Sequence, residues 1–119
     1  MYTEDLMDHY HHSSFRGSVK SPDFNSGAYN PSCGDNISFQ GKIRDFKVVD
    51  LKFDGKGCVI SQAAASMLSK HCLNKSVSEV LALDTLTIKS LIGINLGPTR
   101  LRCALLSLEA IQQGLGSYK

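Results

Sequence analysis

Cys33 and Asp35 flank a glycine in the turn Asn30-Pro31-Ser32-Cys33-Gly34-Asp35, Cys58 follows Gly55-Lys56-Gly57, and Cys103 comes shortly after Gly97-Pro98. These four side chains lie too far apart in the chain for any one local element to join them. A fold that uses them together must carry three separate segments to one point. Three thiolates and one carboxylate make a four-ligand set of the kind that holds zinc tetrahedrally or an iron–sulfur cluster.

The thiolate, not the thiol, binds metal, and an ordinary cysteine with a pKa of ~8.5 is mostly protonated at neutral pH. Cys58 stands three residues ahead of Ser61, where an alanine-rich helix is expected to begin. Cys103 falls in or near the first turn of a final helix. Helix N-termini carry unpaired N–H groups and partial positive charge, which favour the deprotonated sulfur. Arg100 and Arg102 add charge on either side of Cys103. Asp35 admits two readings. As a hard carboxylate among soft thiolates it is the exchangeable fourth ligand; as the residue after Gly34 it stabilises an Asx-type turn.

Other candidates carry less. Cys72 lies four residues after Leu68 on the apolar side of the alanine-rich helix and reads as a small core residue. Its neighbour His71 points about 100° away and does not easily join a site anchored elsewhere. His9, His11 and His12 form a histidine-rich tract without a carboxylate or thiol at matching spacing, so they read as solvated helix-end residues. Gly55-Lys56-Gly57 lacks the length and the Ser/Thr of a phosphate loop, and reads as freedom for the backbone beside Cys58. No Ser-His-Asp or Cys-His-Asn pattern stands out.

With 119 residues the chain suits one domain, 1–119, with a single core. Thirteen Lys and Arg against eleven Asp and Glu give no basis for nucleic-acid or membrane-surface binding. No apolar run approaches the roughly 18 residues of a spanning helix. The acidic start Met1-Tyr2-Thr3-Glu4-Asp5 resembles neither a secretory leader nor a transit peptide. Four cysteines in such a chain are expected to stay reduced, in the cytoplasm.

The pattern along the chain predicts an amphipathic helix over 3–12 and a loop with short extended pieces over 13–27. Ala28-Tyr29 suggest a short strand. Alternation predicts strands over 37–43 and 46–53, with Arg44-Asp45 as a tight hairpin. Helices are expected over 61–73, 77–81, 85–92 and 99–115, the last with Leu101, Leu105, Leu108 and Ile111 as its apolar stripe. Early strands and late helices argue for an α+β class, a small antiparallel sheet of about three strands with helices on one face.

Three segments in this order and spacing resemble the U-type iron–sulfur cluster assembly scaffolds: the IscU proteins, the N-terminal part of NifU and the SufU branch. They are Asn30 to Asp35, Gly57-Cys58-Val59-Ile60-Ser61-Gln62-Ala63-Ala64-Ala65-Ser66-Met67, and Arg100-Leu101-Arg102-Cys103-Ala104-Leu105-Leu106, preceded by Met7-Asp8-His9-Tyr10. The resemblance spans essentially the whole chain. It implies a SufE/NifU-like fold and a ligand set of Cys33, Asp35, Cys58 and Cys103. It further implies a non-enzymatic scaffold that takes sulfur from a cysteine desulfurase, builds a 2Fe–2S cluster from iron, and hands it to apo iron–sulfur acceptor proteins. An electron-donating ferredoxin is a compatible partner, and the oligomeric state stays open. Cys103 is the implied persulfide acceptor, with Cys33 as the alternative. The second branch implies a zinc-dependent sulfurtransferase that holds zinc on the same residues. Arg102 stands where IscU proteins have a histidine, and Leu96-Gly97-Pro98-Thr99-Arg100 only loosely matches their chaperone-recognition stretch. The SufU insertion between the second and third cysteines is absent.

Overall fold

In the computed structural model, residues 2–32 and 34–116 are described. Helix α1 (Glu4–His11) is followed by strands β1 (Phe24–Tyr29), β2 (Asn36–Arg44) and β3 (Lys47–Lys56). Helices α2 (Val59–Cys72), α3 (Val77–Leu81), α4 (Thr85–Ile92) and α5 (Pro98–Leu115) complete the chain. The strands form an antiparallel meander in the order β1-β2-β3. This is the α+β arrangement expected, with three strands.

Period-two alternation sends Ile37 and Phe39 of β2 and Phe53 of β3 inward, where all three are buried. Phe39 and Phe53 face each other in register, their rings 6.3 Å apart. Such a cross-strand aromatic pair adds about 0.5–1.5 kcal/mol beyond its buried area. Val48 and Leu51 have opposite parity yet are both buried. A register shift reconciles them: Lys42 pairs with Asp50 and Ile43 with Val48, so Val49 bulges out and is left exposed.

Two expectations shift at this sheet. The hairpin turns on Asp45-Phe46, not Arg44-Asp45, with φ of 53° and 61°, the left-handed pair that a two-residue loop needs to match strand twist. Phe46 is therefore turn, not strand. The first strand is six residues long and begins at Phe24, inside the stretch expected to be loop. Asn25-Ser26-Gly27 has poor strand propensity, but small residues are what this position requires. Helix α5 comes so close that a Cβ on Gly114 would overlap the Ser26 side chain, and Ser26 Oγ donates to the Ala110 carbonyl at 2.7 Å.

Helix α2 is the centre of the molecule. Every residue from Ile60 to Ser69 is buried, and α1, α4, α5 and the sheet all pack against it. Ala63, Ala64 and Ala65 permit that crowding. On α5 the buried residues are Cys103, Ala104, Leu106, Ser107, Leu108, Ala110, Ile111, Gly114 and Leu115. Leu101 and Leu105 are only half-buried, so the expected stripe is rotated toward its small residues. The free edge of β3 is covered at both ends. Phe53 pairs with 15–17, and Val48 exchanges backbone hydrogen bonds with Asn74 and Lys75. Among the described residues no helix is long and apolar enough to cross a membrane.

Candidate metal centre

Asp35 ends the β1–β2 connection. That connection is tied by Asn30, whose carbonyl accepts the Gly34 N–H and whose N–H donates to the Asp35 carbonyl, both at 2.8 Å. The Asn30 side chain accepts the Ser32 N–H at 3.1 Å, an Asx turn. Gly34 sits at φ 78°, where glycine has no Cβ penalty. The result is an aspartate only 3% exposed, facing the start of α2.

Cys58 is the N-cap residue of α2, and its side chain makes no capping bond to the helix. Asp35 does that work from another segment. Its Oδ1 accepts the Cys58 N–H at 3.1 Å, and its Oδ2 accepts from the Cys58 thiol at 3.3 Å. The approach depends on Gly57 (φ 150°), where a Cβ would overlap the Asp35 carboxylate. Cys103 reaches the same point from α5. It is the sixth residue of that helix, which starts one residue earlier than expected, so it falls in the second turn, and it is 5% exposed. The N-terminal charge of a helix fades within its first turn, so the argument from the dipole holds for Cys58 and not for Cys103.

One ligand atom from each of Asp35, Cys58 and Cys103 lies within 4.8 Å of the others. In a tetrahedral site with Zn–S bonds of ~2.3 Å, neighbouring sulfurs sit about 3.8 Å apart. Two thiols and a carboxylate at this separation therefore fit a thiolate-binding ion after a small contraction. Cys33 lies outside the described residues.

The remaining candidates separate from this group. Cys72, the last residue of α2, is fully buried, and burial pushes its thiol up to about 12 against the opposing charge of Lys75. It is a core residue, as expected. His71 is lowered from its ordinary value, first by burial and then by Lys75. His11 and His12 are exposed. His9 departs from expectation: its Nδ1 lies 2.7 Å from Ser66 Oγ, which also lies 2.6 Å from Ser13 Oγ. This pins α1 to α2, because a hydroxyl buried mid-helix requires a partner. Arg100 stacks over the Tyr2 ring at 5.5 Å. Arg102 is exposed and lines a cleft of about 300 Å³ beside Tyr29, Asn30, Pro31 and Glu109. A larger concavity of about 690 Å³ runs along α1, past Glu4, Asp8 and His12, and contains none of the three converging side chains.

Sequence reasoning missed a set of polar residues behind Cys58. Ser61 and Gln62 are buried, and Ser61 Oγ donates to the Cys58 carbonyl at 3.1 Å. Gln62 Nε2 donates to Ser61 Oγ at 3.2 Å, and Arg16 Nη2 donates to Gln62 Oε1 at 2.7 Å. The available signal was two polar residues on the first turn of a helix with no solvent-facing side.

Comparison with known proteins places the chain among iron–sulfur assembly relatives. An iron–sulfur cluster assembly scaffold protein IscU of Thermotoga maritima is 30% identical, over 97% of this chain and 92% of its own length. The zinc-dependent sulfurtransferase SufU of Bacillus subtilis is also 30% identical, over 97% and 89%. The crystal structure of FiSufU from Fervidobacterium islandicum AW-1 superimposes with a TM-score of 0.82 at 25% identity, covering 96% of each chain. The NifU-like N-terminal domain pattern matches residues 1–119, and the chain belongs to that family.

Proposed function

We propose that residues 1–119 form one iron–sulfur cluster assembly scaffold domain, acting in the cytoplasm. Cys33, Cys58 and Cys103 supply thiolates and Asp35 the labile fourth ligand, on which iron and sulfide combine into a transferable 2Fe–2S cluster. The observation carrying this reading is the convergence of Asp35, Cys58 and Cys103, from three distant segments, within 4.8 Å. A carboxylate in a thiolate set is the weak member, which suits a cargo that must leave.

Sulfur would come from the persulfide of a cysteine desulfurase. The acceptor thiolate attacks the terminal sulfur, the desulfurase S–S bond breaks, its thiolate leaves, and a persulfide forms on this chain. Cys103 is the proposed acceptor. At 5% exposure it requires a local opening before a partner can reach it, which keeps Cys33 as the alternative. Release of sulfide takes two electrons, the role proposed for a ferredoxin. Apo iron–sulfur proteins receive the cluster.

The second reading is a zinc-dependent sulfurtransferase using the same residues. Two observations favour it: donor atoms this close suit a single ion, and the Bacillus subtilis SufU is as similar as the scaffold relative. Anaerobic incubation with iron, cysteine and a desulfurase separates the two. A scaffold yields a coloured cluster that moves to an apo-ferredoxin. Zinc-loaded protein that stimulates the desulfurase and never assembles a cluster overturns the scaffold reading. In the scaffold, Asp35→Ala slows cluster release, and unchanged release removes the role given to Asp35.

A further inference from the structure

The connection that carries Cys58 has little stiffness of its own. Gly55 and Gly57 have φ of 151° and 150°, conformations in which only glycine is at ease; Gly55 is held in the sheet opposite Ile37, but Gly57 follows the last paired residue of β3 and gives the elbow to α2 little resistance to rotation. Its shape must come from outside contacts. On one side Asp35 holds the Cys58 N–H. On the other a single guanidinium bridges the two arms of the elbow.

Arg16 belongs to the segment paired with β3: Gly17 N–H donates to the Phe53 carbonyl at 2.9 Å and Phe53 N–H to the Phe15 carbonyl at 2.8 Å. Its guanidinium carbon lies 4.9 Å from the centre of the Phe53 ring. From there Nη1 donates to Asp54 Oδ1 and to the Gly55 carbonyl, each at 3.3 Å, on the strand arm. Nη2 donates to Gln62 Oε1 at 2.7 Å on the helix arm. Gln62 is 3% exposed and Ser61 fully buried, so the chain Gln62 to Ser61 to the Cys58 carbonyl runs where water does not compete. The guanidinium is planar with donors on both sides, and a lysine ammonium cannot span both arms.

We propose that Arg16 is a positioning residue for the metal centre: through Gln62 and Ser61 it fixes the β3–α2 elbow and so holds Cys58 in register with Asp35 and Cys103. The inference rests on the reading of Cys58 as a ligand. Loss of an outer contact of this kind costs metal affinity by about tenfold or more.

The test uses the full chain with Arg16→Lys, Gln62→Met and the double variant. Zn²⁺ affinity is measured by chelator competition, and amide hydrogen exchange is followed in metal-free protein. Each single variant is expected to bind Zn²⁺ about tenfold more weakly, and to exchange the Cys58 amide about tenfold faster with the Leu68 amide unchanged. The double variant is expected to be no worse than the weaker single, since both break one chain. Co²⁺ loading adds a signature that stability alone does not move, a shifted thiolate charge-transfer band. Wild-type affinity in Arg16→Lys with unchanged Cys58 exchange overturns this proposal and leaves the ligand reading standing. Exchange that rises equally at Cys58 and Leu68 makes Arg16 merely structural and also overturns it. Wild-type protein that binds neither ion overturns the ligand reading first, and this proposal with it.

Discussion

Gly57→Ala is the most direct probe of how the centre is built. The glycine sits at φ 150°, and an added Cβ meets the Asp35 carboxylate. Two costs follow. Holding an L-residue in that backbone region costs about 1–3 kcal/mol. Driving Asp35 off the Cys58 N–H removes the cap of α2, about 0.5–2 kcal/mol. Together they amount to roughly 1.5–5 kcal/mol. A chain of this length has an unfolding entropy of about 0.25 kcal/mol/K, so the midpoint falls by about 6–20 °C. Gly93→Ala is the control. Gly93 caps α4 at φ 73° with nothing near a new Cβ, so it carries the strain without the collision. Thermal unfolding by circular dichroism and Zn²⁺ competition read both variants in parallel. Gly57→Ala should lose more stability than Gly93→Ala and also bind Zn²⁺ at least tenfold more weakly, while Gly93→Ala keeps its affinity. Equal midpoints together with wild-type affinity in Gly57→Ala would refute the idea that glycine is there to admit the carboxylate.

Two further outcomes follow from the core. The Cys72 thiol is held at about 12 by burial. The unfolded chain gives up that proton near pH 9 and the folded one keeps it, so its contribution is full below pH 9 and drains away as pH rises toward 12, at no more than about 1.4 kcal/mol per unit. Denaturant unfolding at pH 8 to 11 should show wild-type protein losing stability more steeply than Cys72→Ala, and parallel curves would contradict the burial argument. Gly114→Ala sets helix propensity, which favours alanine by about 1 kcal/mol, against overlap with Ser26. Overlap between α5 and β1 costs about 1–3 kcal/mol, so the variant should lose up to about 2 kcal/mol net, and a raised melting temperature would show that the helix can move away freely.

How much was legible in the sequence varies with the physics of each element. Helices 77–81 and 85–92 were readable to the residue because their limits are local chemistry: Ser76 and Glu79 form a capping box, and Asp84 and Gly93 bound α4. Strands β2 and β3 were readable from alternation, but the bulge at Val49 was not, because it exists only to bring Val48 and Leu51 to one face. The length of β1 was hidden, since Asn25-Ser26-Gly27 is selected by the approach of α5 and not by strand propensity. In the candidate centre, residue types pointed to Cys58 and Cys103, while Asp35 stood between turn residue and ligand until the family resemblance singled it out. The cap that Asp35 provides to α2 was invisible, because it joins residues that only the tertiary fold makes neighbours. The role of His9 was misread for the same reason: its partner Ser66 lies in another helix.

The three gathered candidate ligands come from a strand connection, a helix cap and the second turn of the last helix, so the candidate centre spans most of the folded chain. A denatured chain cannot assemble it, and an ion that binds only the native form raises native stability by mass action, about 2.7 kcal/mol at a hundred times its dissociation constant. On the proposed function, loading and unloading would be mechanical events for the whole fold: the last helix, the sheet and the central helix would be stapled when cargo is present and unstapled when it departs.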